Sequence, residues 1–249
     1  MAALAGGAVG LAGCVSTDAE LGNDTGGGDA RLTARPSSPT ATVSPGTLQI
    51  TASNPNDGAL VVPASYLPTR PMPLVVALHG AGQGASSQIT LLGPYAESRG
   101  FLLLAIGARG LSWDVFTSRF SYDVTFIDGA LAWAFQRCSV DATRITLCGF
   151  SDGASYTLGL GIPNGDLFTR LAAFSPGFLP QADTPASGKP RIFVSHGRQD
   201  GVLPIDGASR KIVPGLRSRG YDVTYVEFDG GHTVPSAVSD QAVGWMSGS

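Results

Sequence analysis

Short apolar runs alternate with amphipathic segments along the chain from Leu48 onward. Apolar runs of four to eight residues bounded by turn residues are typical of strands buried on both faces, whereas apolar positions three and four residues apart indicate helices. The alternation predicts a mainly parallel central sheet with helices on both faces, a three-layer α/β architecture. The predicted strands are LQITA, ALVVPASY, PLVVALHG, FLLLAI, RITLCGF, LAAFSPG, RIFVSHG and YDVTYVEF, of which the first two are antiparallel edge strands, and the predicted helices cover residues 86–98, 124–137, 154–162 and 209–218.

The first 46 residues differ from the rest, because Gly and Pro are frequent there without any apolar periodicity. The uncharged stretch 1–13 leads into the tetrapeptide LAGC, which ends at Cys14 and resembles the lipobox of bacterial lipoproteins. That resemblance implies cleavage before Cys14 and acylation of its thiol. We therefore predict a lipoprotein signal over 1–13, a flexible tether over 14–46 and one catalytic domain over 47–249. Because no Lys or Arg precedes Cys14, a plain disordered tail is the alternative.

The composition of the chain bears on its binding partners and on its cellular compartment. A formal net charge of -3 and a charged content of 14% provide no basic surface for a phosphate backbone, so we expect no nucleic-acid partner. Lipidation at Cys14 would anchor the protein to a membrane and place it outside the cytoplasm, in the bacterial cell envelope. Cys138 and Cys148 are either a disulfide or two separate buried thiols. The oligomeric state is left open.

One serine lies in the pentapeptide GFSDG, at Ser151. Glycine makes up 34 of the 249 residues, so a G-x-S-x-G match by itself is weak evidence of a site. The context is more specific, because the predicted strand RITLCGF ends directly before Ser151 and a helix-compatible segment follows. A sharp turn that lifts a serine hydroxyl above the sheet needs small residues on both sides, which Gly149 and Gly153 supply. We therefore predict that Ser151 is a nucleophile.

A serine hydroxyl becomes a good nucleophile when an imidazole takes its proton and a carboxylate orients that imidazole. The chain has three histidines. His79 and His196 each end a predicted strand, whereas His232 follows the last strand and two glycines, which let a loop reach over the sheet edge. His232 is therefore the predicted base.

The carboxylate partner is expected just beyond the carboxyl end of the next-to-last strand, where a loop can reach His232. Asp200 occupies that place, in the segment HGRQD. Asp206 and Asp229 are the alternatives, but Asp206 falls at a predicted helix start and Asp229 ends the same strand that leads to the histidine. Asp200 is therefore the predicted acid.

Two backbone amides are candidates for stabilising an oxyanion, the negative oxygen of a tetrahedral intermediate. One is the amide of Asp152, directly after the nucleophile, and the other is the amide of Ala81 in the loop HGAG that follows the predicted central strand PLVVALHG. His79 in the same loop is expected to be structural, hydrogen-bonded beneath the loop.

The segments HGAG, GFSDG, HGRQD and GGH occur in the order found in the α/β-hydrolase superfamily, which the chain resembles from about Leu48 to its end. The resemblance is to its compact carboxylesterases, phospholipase/carboxylesterase-like proteins, and polyhydroxybutyrate depolymerase or feruloyl esterase relatives. It implies an α/β-hydrolase fold and ester hydrolysis through an acyl-enzyme on Ser151, with His232 and Asp200 completing a catalytic triad and no cofactor or metal. A peptidase or thioesterase of the same fold, and a non-catalytic surface-binding lipoprotein, are the alternatives.

The substrate depends on loop residues. The connection from Gly177 to Lys189 is too short for a large helical cap, so we expect an open site that accepts a small or polymeric ester. Trp113, in the loop after FLLLAI, is a candidate substrate-binding residue that would form a wall of the acyl pocket; core packing is the equal alternative.

Overall fold

The computed structural model describes residues 28–51, 57–116 and 119–248, and in these ranges eight strands form one sheet. The strands are β1 (Gly46–Gln49), β2 (Gly58–Val62), β3 (Met72–Leu78), β4 (Leu102–Ile106), β5 (Val140–Phe150), β6 (Arg170–Phe174), β7 (Arg191–Gly197) and β8 (Val223–Phe228). Their order across the sheet is β1-β2-β4-β3-β5-β6-β7-β8.

The sheet is mainly parallel, as the sequence predicts. β1 and β2 pair antiparallel, β2 also pairs antiparallel with β4, and every other neighbouring pair is parallel. β3 lies between β4 and β5, so the central position expected for PLVVALHG is confirmed. Because parallel strands share their direction, the carboxyl ends of β3, β5 and β7 meet at one edge of the sheet, which is where a ligand site forms in open α/β sheets.

Helices cover both faces of the sheet and bury two apolar clusters. The helices are α1 (Ala85–Arg99), α2 (Tyr122–Phe135), α3 (Asp152–Gly161), α4 (Ser209–Ser218) and α5 (Ser236–Ser247). Alternate residues of β3 point to opposite faces: Val76 joins the cluster beneath α2, α3 and α4, and Val75 joins the cluster beneath α1 and α5. None of the helices in the described ranges combines the length and the apolar character that a membrane span needs.

The last helix, α5, is missing from the sequence prediction, which assigns no element after His232. The apolar residues of its buried face are Val238, Ala242, Val243 and Met246, at the i, i+4, i+5 and i+8 spacing of an amphipathic helix. The apolar spacing that indicates this helix is weak in the sequence, because Ser and Gly residues interrupt it.

The domain boundary predicted at residue 47 is wrong, because the segment that starts at Gly28 packs against the domain. Ala30 and Leu32 have no exposed surface and belong to the larger apolar cluster. The Leu32 amide donates to the side-chain oxygen of Asn164 at 2.9 Å, and the Asn164 amide group donates to the Ala30 carbonyl at 2.7 Å. The hydrogen-bond partners of this segment are far away in the sequence, so its composition alone predicts a tether. Stretch 1–13, Cys14 and the tether up to residue 27 lie outside the described residues, and their roles stay predictions.

Cys138 and Cys148 are free thiols, so of the two alternatives the structure has separate cysteines. Both are fully buried. Burial raises the pKa of the Cys138 thiol to about 11 and that of the Cys148 thiol to about 12. They therefore remain protonated at neutral pH and pack as small apolar side chains.

Candidate active site

Ser151 lies in a strained turn between β5 and α3, at the carboxyl edge of the sheet. Its φ of 56° and ψ of -119° are rare for a residue with a side chain and cost free energy that the surrounding structure must offset. The turn brings β5 and α3 so close that a Cβ on Gly149 would overlap the carbonyl oxygen of Gly153. A Cβ on Gly153 would in turn overlap the carbonyl oxygens of Leu78 and His79 at the end of β3. The two glycines therefore permit the approach that positions Ser151.

We expect Gly153→Ala to destabilise the protein by about 1 to 3 kcal/mol, the usual cost of forcing an extra carbon into a packed site. The neighbours are backbone carbonyls of β3, which cannot rotate away. Urea unfolding would measure the change in free energy. Gly129→Ala in α2 is the matched control, because a Cβ there meets nothing within 4 Å; it should stabilise the helix by about 1 kcal/mol. Equal effects of the two variants would contradict the packing argument.

The structure brings Ser151, His232 and Asp200 together from three separate segments. His232 Nε2 lies 2.8 Å from Ser151 Oγ, and His232 Nδ1 lies 2.7 Å from Asp200 Oδ2. Because an ionised carboxylate only accepts hydrogen bonds, Nδ1 carries the proton and Nε2 is free to accept the serine hydroxyl. The arrangement is a hydrogen-bonded chain from a hydroxyl through an imidazole to a carboxylate.

Asp200 is buried and accepts three hydrogen bonds. Its Oδ1 accepts from the amides of Val202 at 2.9 Å and Leu203 at 2.8 Å. Its Oδ2 faces His232 at 2.7 Å and His196 Nε2 at 3.3 Å. Burial by itself would raise the pKa of the carboxyl, but the Leu203 amide, the His232 ring and the Val202 amide outweigh it, so the pKa of Asp200 is lowered. The carboxylate is therefore ionised at neutral pH, so its Oδ2 can accept the hydrogen bond from His232 Nδ1.

His196 supports Asp200 from behind, a role that sequence reasoning missed. Its Nε2 lies 2.8 Å from the Leu203 carbonyl, which can only accept, so Nε2 carries the proton. Its Nδ1 then accepts from the Ser209 hydroxyl at 2.7 Å. Burial lowers the pKa of His196, which favours the neutral ring. The ring thus fixes the loop after β7, and its Nε2 lies 3.3 Å from Asp200 Oδ2.

His79 is buried under the loop that follows β3, as expected from the sequence. Its Nε2 accepts from the Ala108 amide at 2.9 Å, and its Nδ1 donates to the Gly80 carbonyl at 2.7 Å. Burial lowers the pKa of this imidazole, so it stays neutral with one donor and one acceptor. His79 therefore ties the loops after β3 and β4 together.

The amides of Ala81 and Asp152 are both available as donors. In the described part of the chain neither amide donates to another residue. The loop also approaches the serine closely, because a Cβ on Gly80 would lie 3.2 Å from Ser151 Cβ. The Gly82 amide donates to the Leu111 carbonyl at 2.8 Å and fixes the loop. This geometry suits the predicted oxyanion role, which stays a prediction.

Trp113 does not form a wall of a substrate pocket. Its side chain has no exposed surface, its Nε1 donates to the His79 carbonyl at 2.9 Å, and its ring stacks on Tyr156 with centroids 5.0 Å apart. The core-packing alternative therefore describes this residue. The neighbouring Ser112 is the one that faces the site, since its hydroxyl donates to the Asp152 carboxylate at 2.5 Å.

Two buried carboxyl groups hold the loop that carries Ser112 and Trp113. Asp123 accepts from the amides of Arg109 and Asp114, each at 2.7 Å. Asp114 in turn accepts from the Asp123 amide at 3.0 Å. Burial raises the pKa of Asp123 to about 6, although the two amides act in the opposite direction.

This raised pKa predicts a pH-dependent stability. Between the pKa of Asp123 in the unfolded chain, about 3.9, and about 6 in the folded protein, the folded state binds more protons. Its contribution is fully present below about pH 4 and is lost as the pH rises through 6. The free energy of unfolding of the wild type minus that of Asp123→Asn should fall by roughly 2 to 3 kcal/mol from pH 4 to pH 7. A pH-independent difference would contradict this assignment.

Comparisons with known proteins agree on the fold. No protein-family model matches the sequence. Esterase PE8 superposes with a TM-score of 0.62 at 22% identity, over 76% of this chain and 97% of that one. A phospholipase/carboxylesterase from Dyadobacter fermentans has a TM-score of 0.57 at 23% identity, over 73% and 93%. An S-formylglutathione hydrolase from Staphylococcus aureus has a TM-score of 0.62 at 14% identity, over 81% and 98%. With its sheet order and its helices on both faces, this chain has the fold of the α/β-hydrolase superfamily.

Proposed function

We propose that this protein is a serine hydrolase that cleaves carboxylic esters through an acyl-enzyme on Ser151. The observation that carries the proposal is the hydrogen-bonded chain from Ser151 Oγ through His232 to Asp200. A strained serine on a strand-to-helix turn, with two free backbone amides beside it, is the arrangement that acyl transfer requires. The esterase and carboxylesterase among the structures with the same fold support an ester as the substrate.

In the first half of the proposed reaction, Ser151 Oγ forms a bond to the ester carbonyl carbon while His232 Nε2 takes the hydroxyl proton. The carbonyl oxygen becomes negative and accepts from the Ala81 and Asp152 amides. Asp200 stabilises the positive imidazolium. When the tetrahedral intermediate collapses, the bond to the leaving oxygen breaks and His232 donates its proton to that oxygen, which releases the alcohol.

In the second half of the proposed reaction, water takes the place of the serine hydroxyl as the nucleophile. His232 accepts a proton from water, the hydroxide attacks the acyl carbon, and the same two amides stabilise the oxyanion. Breakage of the acyl bond to Ser151 Oγ releases the carboxylic acid, and His232 returns the proton to the serine. These groups supply acid, base and nucleophile, so the proposed reaction requires no cofactor or metal.

A panel of p-nitrophenyl esters from acetate to decanoate, with a thioester and a peptide alongside, tests the proposal. We expect the esters to be hydrolysed, fastest with short acyl groups, because the connection between β6 and β7 forms no helical cap over the site. A fluorophosphonate probe should label the protein on Ser151. Cleavage of only the thioester or only the peptide would replace the ester assignment, and failure of all substrates together with absence of labelling would overturn the hydrolase assignment.

A further inference from the structure

A cleft of about 600 Å³ opens beside His232, between α1 and the segment that leads into α5. His232 and Phe150 form its inner end, where their ring centroids lie 4.7 Å apart. The other described residues that line it mostly carry an uncharged hydroxyl or amide, and none of them is Asp, Glu, Lys or Arg. A cleft of this chemistry has hydrogen-bonding capacity but no counter-ion for a charged ligand.

Two of the lining side chains are buried without a partner. Gln88 on α1 and Ser239 on α5 are each only 2% exposed, and Gln88 Oε1 and Ser239 Oγ form no hydrogen bond within the described residues. Their neighbours differ: the Ser87 hydroxyl donates to the Gly84 carbonyl at 2.8 Å, and the Thr90 hydroxyl donates to the Ser86 carbonyl at 3.0 Å. Both atoms lie beneath the surface of the cleft, so a ligand's hydroxyl groups reach them only when the Gln88 and Ser239 side chains rotate toward it. Because a buried polar atom without a partner is costly, a ligand that pairs with them offsets that cost.

The chemistry of His232 decides which part of an ester reaches this cleft. In the proposed reaction the protonated Nε2 donates to the leaving oxygen, so the alcohol portion must lie on the side of the imidazole. The cleft is lined by His232 but not by Asp152 or Ala81, which stabilise the carbonyl oxygen. The alcohol portion therefore extends from His232 toward Gln88.

We propose that this cleft binds the alcohol portion of the substrate and that this alcohol is a neutral polyol, an inference that rests on the proposed ester hydrolysis. The additional hydroxyl groups would donate to Gln88 Oε1 and exchange hydrogen bonds with Ser239 Oγ, and the C–H faces would pack on Phe150. Asp240 accepts from the hydroxyl of Tyr95, a lining residue, at 2.8 Å, and its negative charge disfavours an anionic alcohol.

Two butyrate esters whose alcohols both have three carbons test the proposal: glyceryl monobutyrate and propyl butyrate. For the wild type, kcat/KM should be at least about tenfold higher for the glyceryl ester, the effect of one or two hydrogen bonds. Gln88→Met and Ser239→Ala should each reduce this ratio severalfold, mainly through KM. Ser98→Ala is the matched control, since it lies on the exposed side of α1 and its hydroxyl is bonded to the Pro94 carbonyl. A wild-type ratio near one, or a ratio that neither variant changes, would overturn the proposal.

A second measurement needs no variant. With p-nitrophenyl butyrate as acyl donor, glycerol and 1-propanol at equal concentration compete for the acyl-enzyme. The alcohol gives its proton to His232, its oxygen bonds to the acyl carbon, and the bond to Ser151 Oγ breaks as His232 returns the proton. Glyceryl butyrate should exceed propyl butyrate, and equal yields would refute the polyol site. Release of p-nitrophenol separates the two proposals: without it ester hydrolysis itself has failed, whereas release without selectivity defeats only the polyol assignment.

Discussion

Replacement of Ser151 by alanine should lower kcat/KM for a p-nitrophenyl ester by about 10⁴ to 10⁶. The alanine removes the only atom that bonds to the carbonyl carbon, while His232 and the two amides remain in place. The turn at φ 56° is as strained for alanine as for serine, so the free energy of unfolding should change little. Steady-state kinetics and fluorophosphonate labelling would measure the loss, with urea unfolding to show that the variant is folded.

The structure offers a matched control for this substitution in Ser175. This serine also has a positive φ, of 53°, and directly follows β6, the neighbour of β5. Its Oγ is buried without a hydrogen-bond partner in the described residues, so no imidazole activates it. We expect Ser175→Ala to retain the wild-type rate and labelling. If Ser151→Ala keeps the wild-type rate, or if Ser175→Ala abolishes labelling, the nucleophile is not Ser151.

Asp200→Asn should lower kcat by about 10⁴, the loss seen when an asparagine replaces the acid of a triad. The amides of Val202 and Leu203 donate to Oδ1, so the side-chain oxygen of the asparagine stays toward them. Its NH₂ group then faces His232 Nδ1, where two donors would meet. The imidazole must move its proton to Nε2, and a protonated Nε2 cannot accept the hydroxyl proton of Ser151. Single-turnover kinetics on a p-nitrophenyl ester would measure this loss in the acylation step.

The two rival carboxylates are the controls for this experiment. Asp206 and Asp229 are exposed, and each forms an ion pair with an arginine, at 2.8 Å to Arg210 and 2.7 Å to Arg198. Exposed pairs contribute little to stability, so Asp206→Asn and Asp229→Asn should keep the wild-type rate. A large loss in either variant, with Asp200→Asn active, would move the acid role away from Asp200.

Much of the proposed site was predictable because its parts lie in local sequence patterns. A buried strand, a serine between two glycines and a following helix place Ser151 at the sheet edge, since each element is encoded by its own apolar spacing. The order of strands likewise puts Asp200 and His232 after the last two strands. The turn at Ser151 is strained, but the small residues that permit it, the glycines at 149 and 153, can be recognised in the sequence.

Other features depended on contacts between distant segments, which no local pattern encodes. Trp113 is an aromatic residue in a loop, and only the packing of Tyr156 against it shows that it belongs to the core. The glycine- and proline-rich segment around Leu32 has no periodicity, yet Asn164 satisfies its backbone.

The sequence by itself therefore determined the three-layer sheet and the candidate nucleophile, base and acid, because apolar periodicity and turn residues act within a few positions of each other. Only the tertiary structure decided what surrounds them. The second imidazole behind Asp200 and the cleft between Gln88 and Ser239 arise where separate helices and loops meet. Side chains at such meeting points are chosen by three-dimensional packing and hydrogen bonding, which leave no spacing along the chain to detect.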